Sequence, residues 1–542
     1  MRTPIALYLL ALVARLVAAA LFPDPAYPDS FYYVDVARQL AAGHGFTVDF
    51  VWIFPEVGGS IPANPVLPIP SNAHWMPLAS AVQVPFIWLL GPTAFASAVP
   101  FALAGAAAAP IAWLIARDAR APQIVQVGAG VLTAFPALSF VYMVQPDNFS
   151  LYQPLVAGSL LLAARGLRGS PRSFVAAGLL AGVATLSRND GVLVLAVLGA
   201  AWLWDRLRGR IGFGSEGPRA PRVPFLAALG AVVAFALVVA PWYARQVATF
   251  GSLSPSTASG KVLFIRDIGE WNSITIPASL EHLLAMGLGP LLLTRIGGFT
   301  AAAFIFSILV GALVLVPFGL VGTWIRRRDA TFGPYFGFAV LLFAFSALVS
   351  AIHVPGGTFI HSAVALAPHG YVLALLGIVA AIEWIARRRR GWNVPSASRV
   401  FVSGAVGLGV LAAVFGMLTV HAAWDGKRQR MQDVALALNE AGVPVTDRLM
   451  SIDASGYRYW AGRGGVVLVN DPLETVHEVA DAYDVRWLIL ERDDSVPAAE
   501  SILVNHERPA WVGAPLLERE DVGVYPVCTD SGDPRCASAM HR

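Results

Sequence analysis

Long apolar runs punctuated by clusters of arginine decide what this chain can become. Runs of about 17–25 apolar residues are long enough to cross a bilayer as helices, and every arginine-rich break between them can be placed on one side of it. Those breaks hold Arg117 and Arg120; Arg165, Arg168 and Arg172; Arg206, Arg208 and Arg210; Arg326, Arg327 and Arg328; and the run 387–390. The same threading puts Asp29, Asp147, Arg188, Asp190, Arg245 and His361 together on the opposite side. Composition agrees: 56% hydrophobic and 13% charged residues, with a mean hydropathy of +0.62, give more apolar surface than one soluble core can bury. The net charge of +3 comes with no basic cluster interleaved with aromatics, which argues against nucleic acid as a partner.

The threading assigns spans to residues 4–22, 93–116, 123–144 and 148–164, two passes within 173–204, then 224–242, 300–324, 332–351, 367–385 and 401–420. The expected fold is an all-α polytopic membrane domain, residues 1–423, with about eleven transmembrane helices, N-terminus inside and C-terminus outside. Its large outer loops fall at about 23–92 and 246–299. Residues 74–90 are apolar, but they carry Pro77 and Pro85 and end at Gly91-Pro92, which reads as a juxtamembrane or re-entrant helix. Counting them as a full span would reverse every later loop and break the charge bias. The first run resembles a signal peptide at Ala18-Ala19-Ala20; it is read here as a retained first span that sets the orientation. Arg15 inside it would cost about 2.5–3.5 kcal/mol facing lipid at mid-depth, so it should face other helices or be paired.

Beyond Trp424 the composition changes. A helix over 434–441 ending at Gly442, buried strands at 449–453, 466–469 and 487–491, and a helix over 473–483 predict a small extracytoplasmic α/β domain, residues 424–542. Cys528 and Cys536 sit in its hydrophilic tail, where an oxidising compartment would join them in a short disulfide loop.

Several polar residues on the outer face have chemistry in reach. Asp29 opens a stretch in which Phe31/Val34 and Tyr33/Ala37/Leu40/Ala41 recur at helical spacing, as in an amphipathic helix on the bilayer surface with Asp29 near its N-cap. Asp147 follows Gln145-Pro146 and precedes a span, so it too can cap a helix. Arg188 and Asp190 flank the hairpin apex Ser187-Arg188-Asn189-Asp190-Gly191, where pairing with each other is the plain structural alternative. Arg245, in Trp242-Tyr243-Ala244-Arg245, can equally be an interfacial anchor. His353 and His361 bracket Gly356 and Gly357, whose backbone N–H groups could approach an anion.

Taken in order, these pieces resemble the GT-C superfamily of polyprenyl-phosphate-sugar-dependent membrane glycosyltransferases, in particular its protein O-mannosyltransferase and aminoarabinose-transferase-like branch. The matching residues are Asp29, Tyr33, Ala37, Leu40 and Gly43; the Pro-Leu segment from His74 to Gly91; Asp147; Arg188-Asn189-Asp190; and Pro241-Trp242-Tyr243-Ala244-Arg245-Gln246 leading to Phe250-Gly251. The resemblance covers roughly residues 1–420. One departure is Ser30, which stands where many relatives carry a second acidic residue and so weakens a metal held by that pair.

The resemblance implies inverting sugar transfer with Asp29 as the base and Asp147 orienting the acceptor or helping to hold a cation. Arg188 and Arg245, with Lys261 and His361, would stabilise the departing polyprenyl phosphate, and Asp190, Tyr33 and His74 would lie on the acceptor side. The implied partners are a polyprenyl-phosphate-linked sugar, an acceptor lipid, glycan or protein, and membrane lipids; no metal ligand is assigned, and a divalent cation stays open as a cofactor. The location implied is a bacterial plasma membrane with the active site outside. Two other readings are a lipid-linked-sugar flippase and a non-catalytic polyprenyl-lipid-binding relative. Transporters place charges near mid-membrane and often repeat their halves, and neither pattern is visible here.

Overall fold

The computed structural model describes residues 2–207, 222–256, 262–352, 358–389 and 391–528. Helices dominate. Among the described residues six are long and apolar enough to cross a membrane: Arg2–Leu21, Ala94–Asp118, Phe225–Phe250, Leu288–Val310, Phe359–Ala386 and Val394–Glu440. The pair Gln123–Ala134 and Ala137–Val144, bent by 49°, makes a seventh if it is one span. The chain is a membrane protein. Shorter apolar helices include Leu78–Leu90, Pro171–Ser187 and Gly333–Val349, so residues 74–90 do not form a full-length span.

Two stretches differ from the expected threading. The single span at 300–324 is instead a helix that starts at Leu288, twelve residues early, breaks after Val310 and resumes as Val316–Arg326. Ala312 and Leu313 take left-handed backbone angles at the break (φ 50° and 40°). Every residue of that break is apolar or glycine, so hydropathy runs straight through it. The span at 401–420 and the helix at 434–441 are one continuous helix, Val394–Glu440.

Contacts divide the chain into two compact units. The first comprises Met1–Asp24, Met76–Ala244 and Arg295–His421. In it, helix Phe149–Leu167 has 19 residues and is therefore about 28 Å long, close to the hydrocarbon thickness of a bilayer. Its C-terminal end is marked by Arg165 and Arg168, whose guanidinium groups converge on Asp118 at 2.7 and 2.8 Å. Arg168 also donates to Thr331 Oγ1 at 3.3 Å. Helix Pro171–Ser187 packs back along Phe149–Leu167. Helices Val316–Arg326 and Ala367–Ala386 approach so closely that a Cβ on Gly322 or Gly377 would strike the opposite backbone, the close packing that small residues allow between apolar helices. As expected, Arg15 faces other helices: it is fully buried, Nη1 donating to Ala134 O at 3.0 Å beside the bend of the broken pair.

The second unit comprises Pro25–Trp75, Arg245–Thr294 and Ala422–Arg542. The boundary expected at 423/424 thus falls inside a helix, and the unit that holds the C-terminal segment also takes in most of both large loops, with 76–92 and 295–299 left to the first unit. Its six-stranded sheet runs Phe50–Val51, Gly465–Val467, Arg448–Ser451, Val485–Glu491, Val522–Pro526, Leu517–Glu518. The first four strands are mutually parallel, and Val522–Pro526 runs antiparallel to both of its neighbours. Sequence patterning found three of the four inner strands; it missed Val522–Pro526 and the two-residue edges, which are too short to show alternation. It also missed helix Ala454–Ala461.

Helix Pro28–Ala41 does not show the one-sided burial expected of a helix on the bilayer surface. Phe31, Tyr32, Tyr33, Val34, Val36 and Ala37 are all buried, and Phe31 sits in a core with Met431, Leu449, Tyr457, Trp487 and Val524. Aromatic residues occupy more than one face, so the helix needs cover on more than one side. The loop at 273–275 is tied down by Asp471, which accepts from Ser273 Oγ at 2.6 Å and Ile274 N at 2.7 Å.

Candidate active site

In the first unit, chain direction places the polar residues. Helix Phe149–Leu167 begins directly after Asp147-Asn148, and Pro171–Ser187 returns the chain to Arg188. Asp147 is fully buried. Its Oδ1 accepts from Asn148 N at 2.5 Å, and its Oδ2 lies 3.1 Å from His361 Nε2. The His361 ring, 4% exposed, stacks on Phe149 with centroids 4.0 Å apart and 19° between planes. The next residue, Ser362, donates to Asp190 Oδ2, and Asp190 Oδ1 takes Arg188 Nε at 3.0 Å. Helix Thr358–Ala363 therefore bridges two carboxylates with adjacent side chains. Gln153 holds the segment from below through a 3.0 Å bond to Val364 O.

So Asp147, Arg188, Asp190 and His361, far apart in sequence, meet at one end of the first unit, opposite to the Asp118–Arg165–Arg168 cluster. Arg188 and Asp190 do pair with each other, and the pair is also joined to Ser362.

In the second unit, Asp29 stands in the first turn of helix Pro28–Ala41, where a carboxylate is favoured by the helix dipole. Trp75 Nε1 donates to Asp29 Oδ1 at 3.0 Å. Ser30 closes the same turn: its Oγ accepts from Ala26 N and Tyr27 N and donates to Tyr27 O at 2.7 Å. A hydroxyl does this helix-entry work, which explains Ser30 without any metal. Tyr33 is 1% exposed and packs edge-on against Tyr32. His74 Nδ1 lies 2.9 Å from Ser256 Oγ, and its ring meets Trp75 edge-on at 5.0 Å. Arg245 donates to Gln246 Oε1 at 2.8 Å, and its guanidinium lies over the rings of Phe46 and Phe250 at 5.5 and 5.0 Å. Lys261 and Cys536 lie outside the described residues; Cys528 is buried and disulfide-bonded.

Sequence reasoning missed Ser362, Trp75, Tyr32 and Glu56. Trp75 and Tyr32 were within reach, one residue after His74 and three after Asp29. Glu56 carries no local signal. It is buried, its Oε1 accepting from Tyr32 Oη at 3.1 Å and its Oε2 from Trp52 N at 3.0 Å. Burial without an ion pair pushes its carboxyl up to about 8.

Residues 74–243 match the model of the dolichyl-phosphate-mannose-protein mannosyltransferase family. No curated protein matches the sequence. Among solved structures, the fold is similar to ArnT from Cupriavidus metallidurans bound to undecaprenyl phosphate, at 14% identity and a TM-score of 0.54, covering 98% of this chain and 99% of that one. It is also similar to the Archaeoglobus fulgidus oligosaccharyltransferase in complex with Zn and sulfate, at 15% identity and a TM-score of 0.55, covering 93% and 71%. A third is the oligosaccharyltransferase AglB of that archaeon with an inhibitory peptide and a dolichol-phosphate, at 13% identity and a TM-score of 0.50, covering 93% and 72%. At 13–15% identity the likeness to these structures is one of fold.

Proposed function

We propose that this chain is an inverting glycosyltransferase that moves a sugar from a polyprenyl-phosphate donor to an acceptor at the outer face of a bacterial plasma membrane. The observation that carries it is the Asp29 carboxylate at the first turn of its helix, held by the Trp75 indole N–H. That is the fixed acceptor a general base requires. Support comes from the fold, shared with an ArnT bound to undecaprenyl phosphate and an AglB in complex with a dolichol-phosphate, and from the mannosyltransferase segment.

In this reading Asp29 takes the proton of an acceptor hydroxyl or phosphate as that oxygen attacks the anomeric carbon. The bond from that carbon to the donor phosphate oxygen breaks on the opposite side. Polyprenyl phosphate leaves as an anion and needs charge stabilisation, no proton. Arg188 and Arg245 supply it, since a planar guanidinium matches phosphate oxygens, with Lys261 and His361 assisting. Asp147 orients the acceptor, and Asp190, Tyr33 and His74 complete that side. A divalent cation, if bound, would take Asp147 and His361, whose carboxylate oxygen and imidazole nitrogen are suitable ligand types. It would add positive charge for the phosphate.

The arginine clusters favour about eleven spans with the N-terminus inside. The separation of Asp118, Arg165 and Arg168 from Asp147, Asp190 and His361 along one 19-residue helix fits that orientation. The test is to add a panel of polyprenyl-phosphate sugars to the purified protein in detergent and measure thermal unfolding and transfer. A donor at a hundred times its Kd adds about 2.7 kcal/mol, so one donor should raise the Tm; if none does and none is consumed, the reading fails.

A further inference from the structure

We propose that Glu56 and Tyr32 are positioning residues for Asp29, acting through the Trp75 ring whose N–H meets the carboxylate. This rests on the reading of Asp29 as the base. The Tyr32 ring lies on Trp75 with centroids 4.1 Å apart and 27° between planes. Its hydroxyl is fixed from two directions: Asn72 N donates to it at 2.7 Å, and it donates to Glu56 Oε1 at 3.1 Å. A phenol held at its oxygen can no longer swing, so the indole stacked on it has one seat. Asn72 also ties down the Trp75 backbone, its Nδ2 donating to Trp75 O at 3.1 Å.

Glu56 is an expensive way to hold a tyrosine. Among the described residues its partners are the Tyr32 hydroxyl and the Trp52 N–H, with no cation, and the side chain is buried. An amide would also accept from the Tyr32 hydroxyl, as a weaker neutral acceptor, without the cost of burying a carboxyl. What a carboxyl adds is a change of state: protonated, it loses acceptor capacity toward the Tyr32 hydroxyl; ionised, it regains it. Burial places this change near pH 8. The other ionisable groups facing this pair are Tyr483 beside Glu56, and Tyr33 and Arg245 beside Tyr32. The geometry thus links a titrating carboxyl, a phenol and an indole in series to Asp29 Oδ1.

The experiment uses the full chain in detergent, isotope-labelled on the tryptophan indole nitrogens. The Trp75 N–H resonance is assigned by its loss in Trp75→Phe. At pH 9, where Glu56 is ionised, Glu56→Gln and Tyr32→Phe should both move it, and both should lower kcat about tenfold, the worth of one hydrogen bond to a charged group, with the donor KM unchanged. In the wild type the resonance should move between pH 7 and pH 9, and in Glu56→Gln it should not. A resonance unmoved by both variants overturns the inference, as does a fall in Tm and kcat together with the resonance in place. If the wild type transfers no sugar from any donor, the reaction assignment falls, while the resonance still decides the coupling.

Discussion

His361 Nε2 lies 3.1 Å from Asp147 Oδ2, and both side chains are buried. Each is a polar group withdrawn from water, where a lost partner is costly. The pair therefore contributes to the stability of the first unit and to the state in which Asp147 meets a ligand.

Asp147→Leu removes a partner of the buried imidazole and should cost about 1–3 kcal/mol, the scale of a hydrogen bond lost at a buried polar group. Asp147→Asn keeps an acceptor for Nε2 and should recover most of that loss, yet stay deficient in transfer. Thermal unfolding in detergent set beside a transfer assay separates the two; equal activity in Asp147→Asn and wild type would remove Asp147 from the reaction.

Asp29→Asn retains an oxygen for the Trp75 indole N–H, so assembly should be unchanged. Losing the base should lower kcat about 100-fold or more. Activity within a few-fold of wild type would exclude Asp29 as the proton acceptor.

Arg188→Lys keeps the charge but loses the fork that meets Asp190 at 3.0 Å. We expect the donor KM to rise about tenfold, the scale of one charge-assisted hydrogen bond, with a small change in Tm. A rise confined to the acceptor KM would move Arg188 to the other substrate.

Three carboxyls of the second unit, Glu56 buried and Asp35 and Asp494 half-buried, hold their protons more tightly than in an unfolded chain: Asp35 at about 6, Asp494 at about 7 and Glu56 at about 8, against ordinary values of 3.8, 3.8 and 4.5. Desolvation is the leading cause in each. Between the two sets of values the folded state binds more protons than the unfolded one, so stability falls as pH rises. It is greatest below about 4 and is lost progressively up to about 8. Tm measured from pH 5 to pH 8.5 should decline, and Glu56→Gln should flatten the upper part of that decline. A Tm that rises across this range would contradict the burial of these groups.

Much of this was legible in the chain before folding. Apolar runs named most of the membrane helices, and arginine placement separated the Asp118 end from the Asp147 end, because lipid and the positive-inside bias act on short local segments. Asp147, Arg188, Asp190 and His361 stood out as polar residues at span termini. Hidden were the break after Val310, built from apolar residues, and the assignment of Phe50–Val51 to a sheet whose next strand lies some 400 residues on. Ser362 and Glu56 were equally silent, since nothing beside them in sequence tells what they touch.

Local composition alone gives a membrane chain with a charged end, a polar end and a less apolar C-terminal segment. Those follow from transfer energies that each segment carries wherever it sits. It is packing that pairs His361 with Asp147, joins Ser362 to Asp190, and sets Trp75, stacked on Tyr32, against Asp29. Hydrogen bonds and ring stacking act over a few ångströms, so they depend on which distant segments the packing brings side by side.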